Sequence, residues 1–117
     1  MRILLVEDEP DVRDYLRRAL RHIAPEAEIE AVADGSLALD AFARKPADLV
    51  ISDFHMPHLD GLKLLQALRD DSNVPVLIIS ADRSVEHRVR DAGGSGFISK
   101  PLALNELRAA VHALLPK

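Results

Sequence analysis

Short apolar runs and amphipathic stripes take turns along this chain. Ile3-Leu4-Leu5-Val6 is a compact apolar run that ends in acids, which predicts a buried strand over Arg2–Val6. Pro10 suits the first turn of a helix, and Val12, Tyr15, Leu16, Ala19, Leu20 and Ile23 follow at helical spacing until Pro25 ends the stripe. Glu28–Ala33 alternates polar and apolar residues, as a strand does when one face is wetter than the other. Asp34-Gly35 predicts a turn, and Ser36 a cap on a helix carrying Leu37, Ala38, Ala41 and Phe42, which Pro46 breaks. Leu49-Val50-Ile51 predicts a third strand ending at Ser52-Asp53.

The second half repeats the alternation. A loop over Phe54–Leu59 leads to Asp60-Gly61 and a helix bearing Leu62, Leu65 and Leu68, with Asp71-Ser72-Asn73 as the next loop. Val74–Ile79 is nearly unbroken Val, Ile and Leu, the most strand-like stretch present. Only Val85, Val89 and Ala92 then supply a helical stripe, so the fourth helix is expected to be the least well anchored. Gly93-Gly94-Ser95-Gly96 turns the chain into a strand at Phe97-Ile98-Ser99, and Leu104, Leu107, Val111, Leu114 and Leu115 form a last amphipathic helix. Strands alternating with helices through short connections predict an α/β fold: a parallel sheet covered on both faces and joined by right-handed crossovers. With 117 residues and no repeat, linker or low-complexity tract, residues 1–117 read as one domain.

Composition narrows the class of protein. Hydrophobic residues at 48% and charged residues at 29% are ordinary for a globular chain, and a net charge of −4 without a Lys/Arg block argues against direct nucleic-acid binding. The absence of cysteine removes disulfides, thiolate metal sites and cysteine catalysis. No apolar run approaches the ~18–20 residues of a membrane span. Met1-Arg2 leads directly into the first strand without a signal peptide, so a cytoplasmic protein with no membrane partner is expected. A first strand so close to Met1 also predicts a module at the start of its protein or standing alone.

In doubly wound sheets, function gathers where the strands end, near the point at which strand order reverses. Glu7 and Asp8 follow the first strand, Asp53 the third, Ser80 the fourth and Lys100 the fifth. Singly, each has a plain explanation as a turn, cap or solvated surface residue; their convergence on one edge does not. Crowded carboxylates repel, and a hard cation relieves them. Mg²⁺, or Mn²⁺ with its similar taste for oxygen, suits Asp8 and Asp53 as direct ligands, Glu7 through a water, and the backbone carbonyl of His55. A carboxylate beside such an ion can attack phosphorus to give an aspartyl phosphate, with Asp53 as the nucleophile. Lys100 and the Ser80 hydroxyl are then placed for two phosphoryl oxygens.

The same residues resemble the receiver domain of two-component response regulators. Ile3-Leu4-Leu5-Val6-Glu7-Asp8-Glu9 is similar to that family's opening strand and acidic pair. Asp53-Phe54-His55-Met56-Pro57-His58-Leu59-Asp60-Gly61 is similar to its phosphoacceptor loop, Ser80-Ala81 to its Ser/Thr-small pair, and Phe97-Ile98-Ser99-Lys100-Pro101 to its aromatic and Lys-Pro ending. The resemblance covers essentially the whole chain. It implies a flavodoxin-like sheet of order 2-1-3-4-5 with five helices, and a cis Lys100-Pro101 bond. It also implies Asp53 as phosphoacceptor, Glu7 and Asp8 in the metal site, Ser80 and Phe97 as a switch pair, and His55 and Asp82 as residues tuning phosphoryl lifetime. The implied donor is a sensor histidine kinase or a histidine phosphotransfer protein. The implied output is a domain or downstream protein reached through the fourth helix, fifth strand and fifth helix. Phe97 stands where Tyr is frequent, so a switch stabilised by a tyrosyl hydroxyl is excluded.

Other functions fit less well. A pseudo-receiver that binds partners without phosphorylation would be favoured by a missing acid or lysine, and none is missing. A metal-dependent phosphohydrolase with aspartyl-phosphate chemistry commonly has a second acid two residues after the nucleophile, where this chain has His55. The chain is therefore expected to modify itself rather than to turn over a separate substrate as an enzyme does. His55 and His58 invite a zinc site, but His22, His87 and His112 fall on predicted helices away from this edge.

Overall fold

A computed structural model describes residues 1–116 of the chain. The elements run β1 (Arg2–Val6), α1 (Pro10–Ile23), β2 (Glu28–Val32), α2 (Gly35–Arg44), β3 (Leu49–Asp53), α3 (Gly61–Asp71) and β4 (Val76–Ser80). A 3₁₀ turn (Arg83–Val85) then leads into α4 (Glu86–Asp91), β5 (Gly96–Ser99) and α5 (Leu104–Leu114). The five strands form one parallel sheet in the order β2-β1-β3-β4-β5. No described helix is long and apolar enough to cross a membrane.

The two-residue period of the strands divides the core between the sheet's faces. Ile3 and Leu5 point to one face and meet Leu16, Leu20, Leu107 and Val111 from α1 and α5. Leu4 and Val6 point to the other and meet Ala38, Leu64, Leu65 and Val89 from α2, α3 and α4. Strands buried on both faces explain why β1, β3 and β4 read as continuous apolar runs. β2, at the sheet's edge, is only half buried, and its polar positions have a specific use. Arg2, buried, donates from one guanidinium nitrogen to Glu28 and from another to Glu30, while its backbone N–H donates to Asp48 at 2.8 Å.

Several boundaries differ from the sequence reading, each for a local reason. β4 begins at Val76 rather than Val74, because Pro75 between them has no N–H for the ladder, and it extends to include Ser80. Asp34, not Ser36, caps α2: its carboxylate accepts the Leu37 N–H at 2.8 Å, and Ser36 lies inside the helix. Gly35, Ala38 and Ala41 form the buried stripe of that helix, whereas Leu37 is 47% exposed. α3 continues through Asp71, which the sequence placed in a loop, and buries Leu64 rather than Leu62. β2 stops at Val32, one residue before the expected Ala33, and β5 takes in Gly96 from the expected turn. The fourth helix is short and buries only Val89, with Val85 in the preceding turn.

Candidate functional site

The strand register assembles the site. Val6 pairs with Ser52, so the next residues, Glu7 and Asp53, come abreast at the ends of β1 and β3. Asp53 pairs with Ile79, which leaves Ser80 one position beyond it on β4, and Ser80 pairs with Ser99, after which Lys100 leaves the sheet. These are the strands flanking the reversal of strand order between β1 and β3, where an α/β sheet opens a crevice.

Lys100 Nζ lies 2.9 Å from Asp53 Oδ1, so β5 and β3 are linked across β4 by an ion pair. Carboxylate oxygens of Glu7, Asp8 and Asp53 all lie within 4.8 Å of one another. Glu7 and Asp53 are buried and Asp8 half-buried. Burial pushes the Glu7 carboxyl up to about 7, and the Asp53 charge and a hydrogen bond with Asp8 push the same way; the Glu9 N–H and Lys100 oppose them. A bound cation would relieve this burial and crowding of the carboxylates. Hard oxygen donors only, at spacings that about 2.0–2.1 Å bonds can gather with small adjustment, fit Mg²⁺ or Mn²⁺. Among the described residues this is the only such cluster of three or more ligating side chains, and it contains no histidine.

The loop after Asp53 folds back on itself. Gly61 N donates to the Phe54 carbonyl at 2.8 Å, Leu59 N to Pro57 O at 2.8 Å, and His58 adopts φ 68°. A Cβ at Gly61 would stand 2.8 Å from the Asp53 carbonyl oxygen and 2.9 Å from Phe54 Cα. The Asp-Gly pair is thus a steric requirement of the loop: Asp60 caps α3 by accepting from Lys63 N, and Gly61 lets the helix start press against Asp53's backbone. The exposed His55 ring packs edge-on against Phe54, with centroids 4.9 Å apart.

Ser80 is buried, and its Oγ accepts from the Asp82 N–H at 3.0 Å. Its hydroxyl proton stays free to donate, since a hydroxyl does both. Asp82 caps the 3₁₀ turn through the Ser84 N–H and hydroxyl, which hold its carboxyl below the usual range together with the nearby His55. Phe97 on β5 is half-buried, packed against the cluster that contains Val85 and Val89. The Lys100-Pro101 peptide bond is cis.

Three arginines at this edge escaped the sequence reading. Arg13 Nη1 donates to the Glu7 carbonyl at 2.9 Å. Arg88 of α4 lies over the Phe54 ring, 5.8 Å from its centroid. Arg83 Nε donates to Ser99 Oγ at 3.2 Å, tying the turn after Ser80 to the strand that ends at Lys100. For Arg13 a signal existed: helical side chains lean toward the N-terminus, so an arginine in the first turns of α1 leans back over the acidic loop.

Known proteins resemble the chain over nearly its whole length. The family model of the response regulator receiver domain matches residues 3–112. The chain is 42% identical over 118 residues to response regulator MprA of Mycobacterium sp. (strain KMS), a match covering 98% of this chain and 50% of that protein. MprA of Mycobacterium leprae (strain TN) is also 42% identical, covering 98% of this chain and 51% of that protein. The chain thus spans about half the length of the curated relatives it matches. Among solved structures, a putative response regulator from Chloroflexus aurantiacus superposes with a TM-score of 0.91 at 26% identity, over 99% of this chain and 98% of that one. The response regulator TrrA of Thermotoga maritima, in complex with Mg²⁺-BeF, gives 0.88 at 29% identity, over 97% and 98%.

Proposed function

The chain belongs to the response regulator receiver domain family of two-component systems, and from that premise we propose that residues 1–117 form a module that accepts a phosphoryl group on Asp53. The observation that carries this reading is the meeting of Asp53 with Lys100 at 2.9 Å and with two further carboxylates on one sheet edge. The donor is a phosphohistidine on a sensor kinase or phosphotransfer protein. A carboxylate oxygen of Asp53 attacks phosphorus as the bond from phosphorus to the donor imidazole breaks. Phosphoryl transfer of this kind depends on positioning and charge neutralisation more than on covalent help.

Asp8 and Asp53, the His55 carbonyl and Glu7 through a water would hold Mg²⁺ (or Mn²⁺), which neutralises the incoming phosphoryl oxygens when bound. Lys100 transfers its pairing from the free carboxylate to a phosphoryl oxygen, and the free Ser80 proton is donated to another. His55 and Asp82 flank the path of an attacking water and tune how long the phosphoryl group survives. An apolar groove lined by Val12, Tyr15, Leu16, Pro101 and Leu102 lies beside Lys100 and offers the donor protein a seat next to the reacting atoms.

Ser80 drawn toward the phosphoryl group pulls the turn that Asp82 caps, and Phe97 turns inward beneath the thinly anchored α4. Shifting a population from 1:99 to 99:1 takes about 5.5 kcal/mol, and two hydrogen bonds to a charged group at about 1.5–3 kcal/mol each supply much of it. The output surface is α4, β5 and α5, read by an output domain or a downstream protein in the cytoplasm.

Intact-protein mass after incubation with acetyl phosphate and Mg²⁺ tests the reading, beside Asp53→Asn and a metal-free control. One base-labile phosphoryl adduct requiring both Mg²⁺ and Asp53 is expected. No adduct from acetyl phosphate or from a phosphorylated histidine donor would overturn it in favour of a phosphorylation-independent binding module.

A further inference from the structure

We propose that Arg13 is a positioning residue for the metal site, gripping the peptide group between Glu7 and Asp8 from the first turns of α1. The inference rests on the reading of Glu7, Asp8 and Asp53 as a Mg²⁺ site.

Glu7 is restrained at its backbone N–H, its carbonyl and its carboxylate. Its N–H donates to Val32 O of β2 at 3.1 Å, its Oε2 accepts from Glu9 N at 3.1 Å, and its carbonyl accepts from Arg13 Nη1 at 2.9 Å. The peptide group is planar, so fixing the Glu7 carbonyl also fixes the plane in which the Asp8 nitrogen lies, and hence the direction in which Asp8 sets out. The loop has few other ties. Glu9, at the N-cap of α1, makes no side-chain capping bond, and Pro10 donates none. Of the contacts that hold the loop, the Glu9 N–H bond uses the Glu7 carboxylate that also faces the cation site. The Arg13 bond, like the Glu7 N–H bond to Val32, does not involve that carboxylate and so stays in place when the carboxylate serves the ion. The backbone of Arg13 is anchored to the same loop, with Arg13 N donating to Glu9 O at 2.8 Å. Groups that orient metal ligands from behind are worth about 10–100-fold in metal affinity.

Calorimetric titration of the whole chain with Mg²⁺ tests this, comparing wild type with Arg13→Met, which keeps the apolar stem, and Arg13→Gln as a second variant. The Mg²⁺ Kd is expected to rise about tenfold in both, the low end for such groups. Arg13→Lys, which retains a charged donor, recovers part of the loss. In EDTA, the amides of Asp8 and Glu9 exchange hydrogen faster in Arg13→Met while those of β3 and β4 keep their rates, an outcome that general destabilisation does not give. At saturating Mg²⁺ the phosphorylation rate from acetyl phosphate returns to near wild type. Wild-type binding of Mg²⁺ with Kd values for Arg13→Met and Arg13→Gln within twofold of it overturns the role of Arg13 alone. Failure of wild type to bind Mg²⁺ overturns the metal site and this inference with it.

Discussion

Lys100 Nζ sits 2.9 Å from Asp53 Oδ1, joining a half-buried lysine, 35% exposed, to a buried carboxylate, 9% exposed. Lys100 thus places its charge directly on a cluster of three carboxylates. Removing it has two opposite consequences. The acidic cluster becomes more negative, so Lys100→Ala is expected to tighten Mg²⁺ binding by about fivefold, a little under the ~1 kcal/mol of a close charge pair in water. The same variant is expected to slow phosphoryl transfer by about tenfold or more, because no cation receives the transferred oxygens. Titration calorimetry and the rate of adduct formation separate the two. Weaker Mg²⁺ binding in Lys100→Ala would show that the lysine does not act by charge.

Gly61 carries the second prediction. Its Cα is so close to the Asp53 carbonyl that an added methyl would stand 2.8 Å from the oxygen, against backbone that has no side-chain freedom to yield. Gly61→Ala is expected to cost about 1–3 kcal/mol in urea unfolding and to displace the end of β3. Mg²⁺ affinity falls with it, since Asp53 moves with its backbone. Equal urea midpoints for the variant and wild type would contradict the close approach.

Much of this architecture is written in period and punctuation. The alternation of Leu4 and Val6 with Ile3 and Leu5 sorts the two faces of the sheet, and the acids, Ser80 and Lys100 stand where apolar runs stop. What escaped depends on three-dimensional partners. Glu28 and Glu30 look like a wet strand face, yet they serve the buried Arg2, whose partners lie 26 and 28 positions away. Leu37 fits an apolar stripe by spacing, but Gly35 takes the inward place, where a Cβ would meet Leu59 at 2.7 Å. Arg13, Arg83 and Arg88 are ordinary surface arginines until the loops they touch are known.

The start of α2 separates two residues of similar capping ability. Asp34 and Ser36 both suit an N-cap, and only Asp34 accepts the Leu37 N–H, at 2.8 Å. Asp34→Ala is expected to lower stability by about 1 kcal/mol, and Ser36→Ala to leave it unchanged within about 0.5 kcal/mol. Denaturant curves of the two variants decide it, and the reverse ranking would restore Ser36 as the cap.

Glu7 makes metal-free stability depend on pH in an unusual direction. Its carboxyl is pushed up to about 7 in the folded chain from 4.5 when solvated, chiefly by burial. Between those values the folded state holds a proton that the unfolded state has released, so stability falls as pH rises. Below about 4.5 the group is protonated in both states and costs nothing; above about 7 it is ionised in both and the full cost, up to about 3 kcal/mol, is present. Glu7→Gln keeps the acceptor for the Glu9 N–H and removes the charge. In EDTA, wild type and Glu7→Gln are expected to be equally stable near pH 4.5 and to diverge toward pH 7.5, with the variant the more stable. Lowered groups such as Asp14, Glu28 and Asp82 act with the opposite sign at lower pH, but they are common to both proteins and cancel in the difference. Adding Mg²⁺ at pH 7.5 should then raise wild type above the variant, since an ion bound only by the folded state stabilises it by mass action. Parallel stability curves for the two proteins across this pH range would mean that Glu7 carries no burial cost, and that the cluster is not held in tension for a cation.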